Sequence, residues 1–215
     1  RRSELTDIVD SLHLTSSSPV WIDVGTAKSS EFEVNLHDDP KLFVIGIEPT
    51  PSHAARQRST IHHKWLRWGS RFALLERACV AGHRGRSHNI TMLVHKSFHC
   101  NSLLETTEGH APTHVPDCFD DKPEQVQVRT ITLDDILETL EARSISSVQL
   151  LKLDVQGMEL PCLQGAAKRL RMVDNLFIEV QDLPSAQLMY KNSSNIGDVD
   201  AWLAPFAFKR QYCEV

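Results

Sequence analysis

The chain has no long hydrophobic run. Hydrophobic residues make up 41% of its 215 positions, but charge interrupts them throughout, and nothing approaches the roughly 18 consecutive apolar residues of a membrane span. It has no Cys-x-x-Cys pair either. Its cysteines, Cys79, Cys100, Cys118, Cys162 and Cys213, are scattered and odd in number, which reads as reduced thiols in a reducing compartment (cytoplasm or organelle interior) rather than as a disulfide framework. Residue 1 is Arg, not Met, so the true N-terminus is expected to be missing or processed, with any signal or anchor upstream. The dinucleotide fingerprint G-x-G-x-x-G is also absent. In its place stands Gly25-Thr26-Ala27-Lys28-Ser29-Ser30, without the further glycines on which a pyrophosphate rests, and this disfavours NAD.

What is present fits one α/β domain. Val20–Gly25, Leu42–Ile47, Val148–Leu153 and Asn175–Val180 are near-continuous apolar runs with helix-length spacers, the pattern of parallel strands covered on both faces. Trp21–Val24, Phe43–Ile47, Leu150–Leu153 and Leu176–Val180 are therefore expected to be neighbouring parallel strands. Phe72–Val80, Ile90–Val94 and Val126–Ile131 are further strand candidates, and Phe208–Val215 starts a last one. Helices are expected before Leu14, within Ser30–His37, from Pro51 to Trp65 or Trp68, over Met158–Leu170 and over Asp198–Phe206. Another opens at Leu133, with Thr132 as N-cap and Asp135 closing a capping-box-like pair. Glu105–Gln125, rich in Pro, Asp and Thr, reads as a long surface loop. Residues 1–18 form a helix and linker, and 19–215 the domain, whose last hairpin is expected to be incomplete.

Two constellations carry chemistry. Asp23-x-Gly25 ends the first strand and Glu48 the second. In an open α/β sheet ligands sit beyond the carboxyl ends of the strands, where a glycine admits a cofactor to the backbone and an acid accepts both ribose hydroxyls. The second constellation is Leu150-Leu151-Lys152-Leu153-Asp154-Val155-Gln156-Gly157-Met158-Glu159-Leu160, followed by Leu163-Gln164-Gly165-Ala166. It resembles the signature strand-turn-helix of the FkbM-type methyltransferases. Trp21–Gly25, Ile47–Pro51, Ala78–Gly82, Asn101–Leu103, Arg129–Asp135, Phe177–Val180 and Met189-Tyr190 match that family in the same order, so that the resemblance covers about residues 20 to 212.

The resemblance implies a Rossmann-like class I methyltransferase, mostly parallel and doubly wound, with S-adenosylmethionine as donor and an oxygen acceptor of unknown identity. By matching position, Asp23 and Gly25 would face the donor's methionine part, Glu48 would hold its ribose, and the Val80 region or Ser102 would flank its adenine, with Thr26 and Pro49 as further cofactor-binding residues. Asp154 would lie near sulfonium and acceptor, able to orient the donor's amino group or take a proton. Glu159 and Glu179 are further catalytic candidates. This chain departs from the family in having Lys28, Ser29 and Ser30 where another Gly, preceded by Asn, is usual. A Lys beside a cationic donor is unfavourable unless it turns away. The alternative reading is a catalytically inactive subunit of a larger assembly, its cleft plugged by side chains.

The net charge of −5 is uneven. Between His53 and Lys96 stand nine Lys or Arg against one acid, Glu76. A basic helix face with basic loops accounts for this; an acidic partner docking on segment 53–96 is the sharper alternative. His110, His114 and Cys118 have metal-ligand chemistry, but Pro112 and Pro116 forbid the helix that their spacing needs, and no metal is expected. Trp65 and Trp68 read as the buried stripe of a helix rather than a nucleobase platform, so nucleic acid is not expected. Asn89-Ile90-Thr91 and Asn192-Ser193-Ser194 fit the glycosylation sequon, which has meaning only in a secreted chain.

Overall fold

The computed structural model describes residues 4–82, 87–107, 118 and 122–211, with the backbone alone for 61–69. The four apolar runs form strands, as their patterning requires: β1 (Val20–Val24), β2 (Phe43–Ile47), β7 (Leu150–Leu153) and β8 (Leu176–Ile178). With β3 (Phe72–Leu75) they make a five-stranded, all-parallel sheet in the order β3-β2-β1-β7-β8. Alternate residues face opposite layers. Val20, Ile22, Val24, Ile45, Ile47, Leu151 and Leu153 join a large core with α1 (Glu4–Asp10), α4 (Leu133–Glu141), α5 (Glu159–Gln164) and α6 (Ile196–Leu203). Trp21, Val44, Phe72 and Leu74 pack on the other face with Leu36 of α2 (Glu33–Asp38) and Ala54 of α3 (Pro51–Trp68). Helices thus cover both faces, which explains why the strands show no polar alternation.

Three further strands form a separate sheet in the order β4-β6-β5: β4 (Ala78–Cys79), β5 (Asn89–Val94) and β6 (Glu124–Ile131). Phe72–Val80, expected as one strand, is divided by Glu76-Arg77. Its first half pairs with β2 and its second with β6. Thr132 caps α4 with a full capping box to Asp135. Asn195 caps α6 in the same way through Asp198. The helix expected over Met158–Leu170 is shorter because the chain turns at Gly165, where an added Cβ would press on the Val80 carbonyl oxygen. Pro161 falls in the first turn of α5, where a missing N–H is harmless. Residues 208–211 are not in a strand, and the rest of the expected final strand lies outside the described residues. So do the Gly82–Gly85 turn beyond Gly82, most of the Glu105–Gln125 loop, and the side chains of Trp65 and Trp68. Among the described residues no helix is long and apolar enough to cross a membrane.

The cysteine expectation is overturned. Cys79 is bonded to Cys162 and Cys100 to Cys118, with Cα separations of 5.2 and 5.4 Å. The partners are 83 and 18 residues apart, so only the fold, not the spacing, brings them together. Cys213 lies outside the described residues.

Candidate active site

The sheet register builds the site. Val24 pairs with both Ile47 and Leu153, Ile47 with Leu75, and Leu153 with Ile178. The next residue of each strand therefore emerges at one level along the sheet's carboxyl edge: Glu76, Glu48, Gly25, Asp154 and Glu179. Backbone bonds continue the ladder through this row. Glu48 N donates to Leu75 O (3.0 Å), Gly25 N to Ile47 O (2.9 Å), Asp154 N to Val24 O (3.0 Å) and Glu179 N to Leu153 O (2.9 Å). Strand order reverses between β1 and β7, the place where such sheets bind ligands.

A solvent-open cleft lies there, walled by Gly25, Glu48, Pro49, Asp154 and Gln156 on the sheet side. Arg77, Ala78 and Cys79 form a second wall, and Phe98, His99, Asn101, Ser102 and Leu103 a third. Of the residues expected in the site, Gly25, Glu48, Pro49, Ser102 and Asp154 line the cleft. Asp23, Thr26, Val80, Glu159 and Glu179 do not. Gly25 has φ +87°, and a Cβ there would collide with the Asp154 carbonyl oxygen. The glycine is thus required by the close approach of the β1 and β7 turns before any ligand is considered.

Asp23 is fully buried. Strand alternation puts it on the Trp21 face, where Oδ2 accepts from Ser30 (2.5 Å) and Lys152 Nζ stands 3.7 Å from Oδ1. Lys152 is its register partner on β7, and its ammonium also reaches Glu31 (3.0 Å) and Asp154 Oδ2 (3.5 Å). Burial pushes the Asp23 pKa up, against the pull of Lys152 and Ser30. Burial pulls Lys152 down, but Asp23, Asp154 and Glu31 outweigh it and the net shift is upward. Lys152 was not among the expected site residues, although a lysine inside a continuous apolar strand is itself the signal of a buried charge needing partners.

Asp154 is held from both sides. Oδ2 faces Lys152, while Oδ1 accepts from Gln156 Nε2 (2.7 Å), whose Oε1 accepts from Tyr190 OH (3.1 Å). Burial, then the Asp154 charge, raises the Glu179 pKa. Burial, then the Glu159 charge, raises that of Tyr190. Glu48 Oε1 accepts from Thr50 N (2.8 Å) and lies 3.6 Å from His53 Nδ1. Its Oε2 has no protein donor among the described residues. Asn101 Oδ1 accepts from His95 N (2.8 Å), but its buried Nδ2 has no partner among the described residues. Thr26 Oγ1 is taken by Gln57 Nε2 (2.6 Å). Lys28 is not in the cleft wall; its ammonium lies 3.7 Å from the Phe98 ring centroid, a cation–π contact that anchors the charge. His110 and His114 lie outside the described residues, and Cys118 is committed to Cys100. Among the described residues no cluster suited to a metal is found.

Glu159 turns under the 154–157 loop, where Oε1 accepts from Val155 N (3.2 Å) and Gly157 N (3.1 Å). It staples a turn in which Gln156 and Gly157 both have positive φ. Burial, opposed by these bonds, raises its pKa to about 7. Because the folded value lies above the unfolded one, the associated stability is full below the unfolded pKa and is lost as pH rises through about 7, a loss of about 3 kcal/mol. Glu159→Gln keeps an acceptor oxygen and removes the charge. It is expected to stabilise the fold by about 1–3 kcal/mol at about pH 8 and to change little at about pH 5. Urea unfolding at the two pH values checks this, and an equal effect at both would refute it.

No curated protein and no solved structure matches the chain. A family model does: that of the methyltransferase FkbM domain, over residues 23–212, a span that starts in β1 and includes every strand end that builds the cleft. With nearly the whole chain matched and a parallel α/β sheet beneath it, the protein belongs to the FkbM methyltransferase domain family.

Proposed function

We propose that the chain transfers a methyl group from S-adenosylmethionine to an oxygen acceptor, with the donor held in the cleft at the ends of β1, β2 and β7. The observation that carries this reading is the convergence of Gly25, Glu48 and Asp154, by register alone, on one open cleft where strand order reverses. The donor set fits the group. Glu48 offers a carboxylate oxygen without a protein donor among the described residues, suited to ribose hydroxyls. Asn101 Nδ2 is a buried donor without an acceptor among the described residues, suited to a ring nitrogen of adenine. When bound, S-adenosylmethionine supplies an electrophilic methyl group on a sulfonium.

The chain's own residues then have to position and to accept a proton. Lys152 and Gln156 fix Asp154 in one orientation, as in-line transfer demands of any group that orients a reactant. Glu179, the next carboxylate along the strand ends, is outside the cleft lining, so Asp154 is the carboxylate placed to take a proton from an acceptor hydroxyl. Glu159 acts at one remove, by holding the loop that carries Gln156. An inactive structural subunit finds no support: the matched family is a methyltransferase domain, and Lys28 does not plug the cleft.

Calorimetric titration with S-adenosylmethionine and S-adenosylhomocysteine tests the reading. Both are expected to bind the wild type, and Glu48→Ala to weaken binding by about 1.5–3 kcal/mol through loss of charge-assisted hydrogen bonds. NAD is expected not to bind. No affinity of the folded wild type for either sulfur ligand would defeat the proposal.

A further inference from the structure

We infer that Asn89 and Asn192 are N-glycan acceptor sites, on a chain that folds and works in an oxidising compartment. The first support is the pair of disulfides. They take four of the five cysteines, and such bonds persist where glutathione and thioredoxin do not reduce them. They also sit where the cleft depends on them. Cys79 is itself in the cleft wall, and its partner Cys162 is in α5. Cys100 lies between Phe98-His99 and Asn101–Leu103, all of them in the third wall.

The second support is the placement of the sequons. Asn89 is exposed at the start of β5, an edge strand, and Thr91, two residues on, shares its face. Asn192 is exposed in the turn after Tyr190, with φ +61°, and Ser194 follows. Neither lines the cleft, so a glycan has room at both without obstructing it. Asn101, which does line the cleft, shows the contrast: in Asn101-Ser102-Leu103 it is buried and has no hydroxyl two residues on.

The modification requires a polyisoprenyl pyrophosphate-linked oligosaccharide as co-substrate. A bond forms between the sugar's anomeric carbon and the asparagine Nδ2, the anomeric carbon–oxygen bond to pyrophosphate breaks, one amide proton is lost, and the lipid pyrophosphate leaves. The inference does not rest on methyl transfer, and its failure leaves that reading untouched.

The test is secretion of the full chain from eukaryotic cells behind a secretory leader, as wild type, Thr91→Ala, Ser194→Ala and the double variant. Expected are two glycan steps on a gel for the wild type, one for each single variant and none for the double variant. Enzymatic deglycosylation of the wild type is expected to convert Asn89 and Asn192 to aspartate in the peptide map. Alkylation without reductant is expected to label Cys213 alone. A secreted wild type with either asparagine unmodified removes that site, and labelling of all five cysteines overturns the oxidising compartment.

Discussion

Reduction of the Cys79–Cys162 bond is expected to lower the unfolding free energy by about 4–5 kcal/mol, the loop-closure value for a link spanning 83 residues. That is a large part of a typical domain's stability. The Cys100–Cys118 link closes 18 residues and is expected to contribute about 3 kcal/mol by the same reasoning. The two losses should be felt differently. Cys79–Cys162 joins β4 to α5 within the main core, so its reduction should loosen the whole unit. Cys100–Cys118 belongs to a small cluster with Met189 and Tyr190, so its reduction should first affect the cleft wall at Phe98–Leu103. Urea unfolding of the oxidised protein and of the Cys79→Ala/Cys162→Ala and Cys100→Ala/Cys118→Ala variants checks both. Unchanged midpoints in either pair would contradict the corresponding prediction.

The central sheet was legible because each of its inner strands is buried on both faces and so carries an unbroken apolar run. The acids and the glycine that close those runs fall at one level because parallel pairing keeps the strands in register. The capping box at Thr132 was legible for a local reason, since both partners lie within four residues. What escaped was long-range. The division of Phe72–Val80 depends on Ala78 and Cys79 finding β6, some fifty residues later in the chain, and nothing near Glu76-Arg77 announces a change of sheet. The cysteine pairs depend on the same folding. Asp23 shows how a residue's place on a strand can be read from sequence while the direction of its side chain cannot. Its position at the end of β1 suggests the cofactor, yet alternation along the strand turns it to the Trp21 face, where Lys152 of β7 meets it. Asn101 and Gln156 were invisible as individuals because their significance lies in what their amides touch, or fail to touch, in the folded chain.

Lys152 carries the other large expected effect. It is almost wholly buried among Asp23, Asp154 and Glu31, so its ammonium is the charge that lets Asp23 stay in the core. Lys152→Met keeps most of the volume and removes the charge, leaving a fully buried carboxylate without a cation; breaking such a pair costs about 3–5 kcal/mol. Replacing both partners should be far milder, because no uncompensated charge remains. Lys152→Met/Asp23→Asn is therefore expected to regain most of the loss, giving a double-mutant cycle with strong coupling. Sign and pH fix the origin. A lysine with a raised pKa contributes stability that is full below its unfolded value and is lost as pH rises through the folded one, so the wild-type advantage over Lys152→Met should persist through neutral pH and fall away in strong alkali. The single variant should narrow that gap in acid, where Asp23 takes up a proton and no longer needs a partner. Denaturant unfolding of the four proteins across pH measures all of this. Additive single-site losses, or a Lys152→Met penalty that does not shrink in acid, would show that the buried pair does not hold the two central strands together at the cleft.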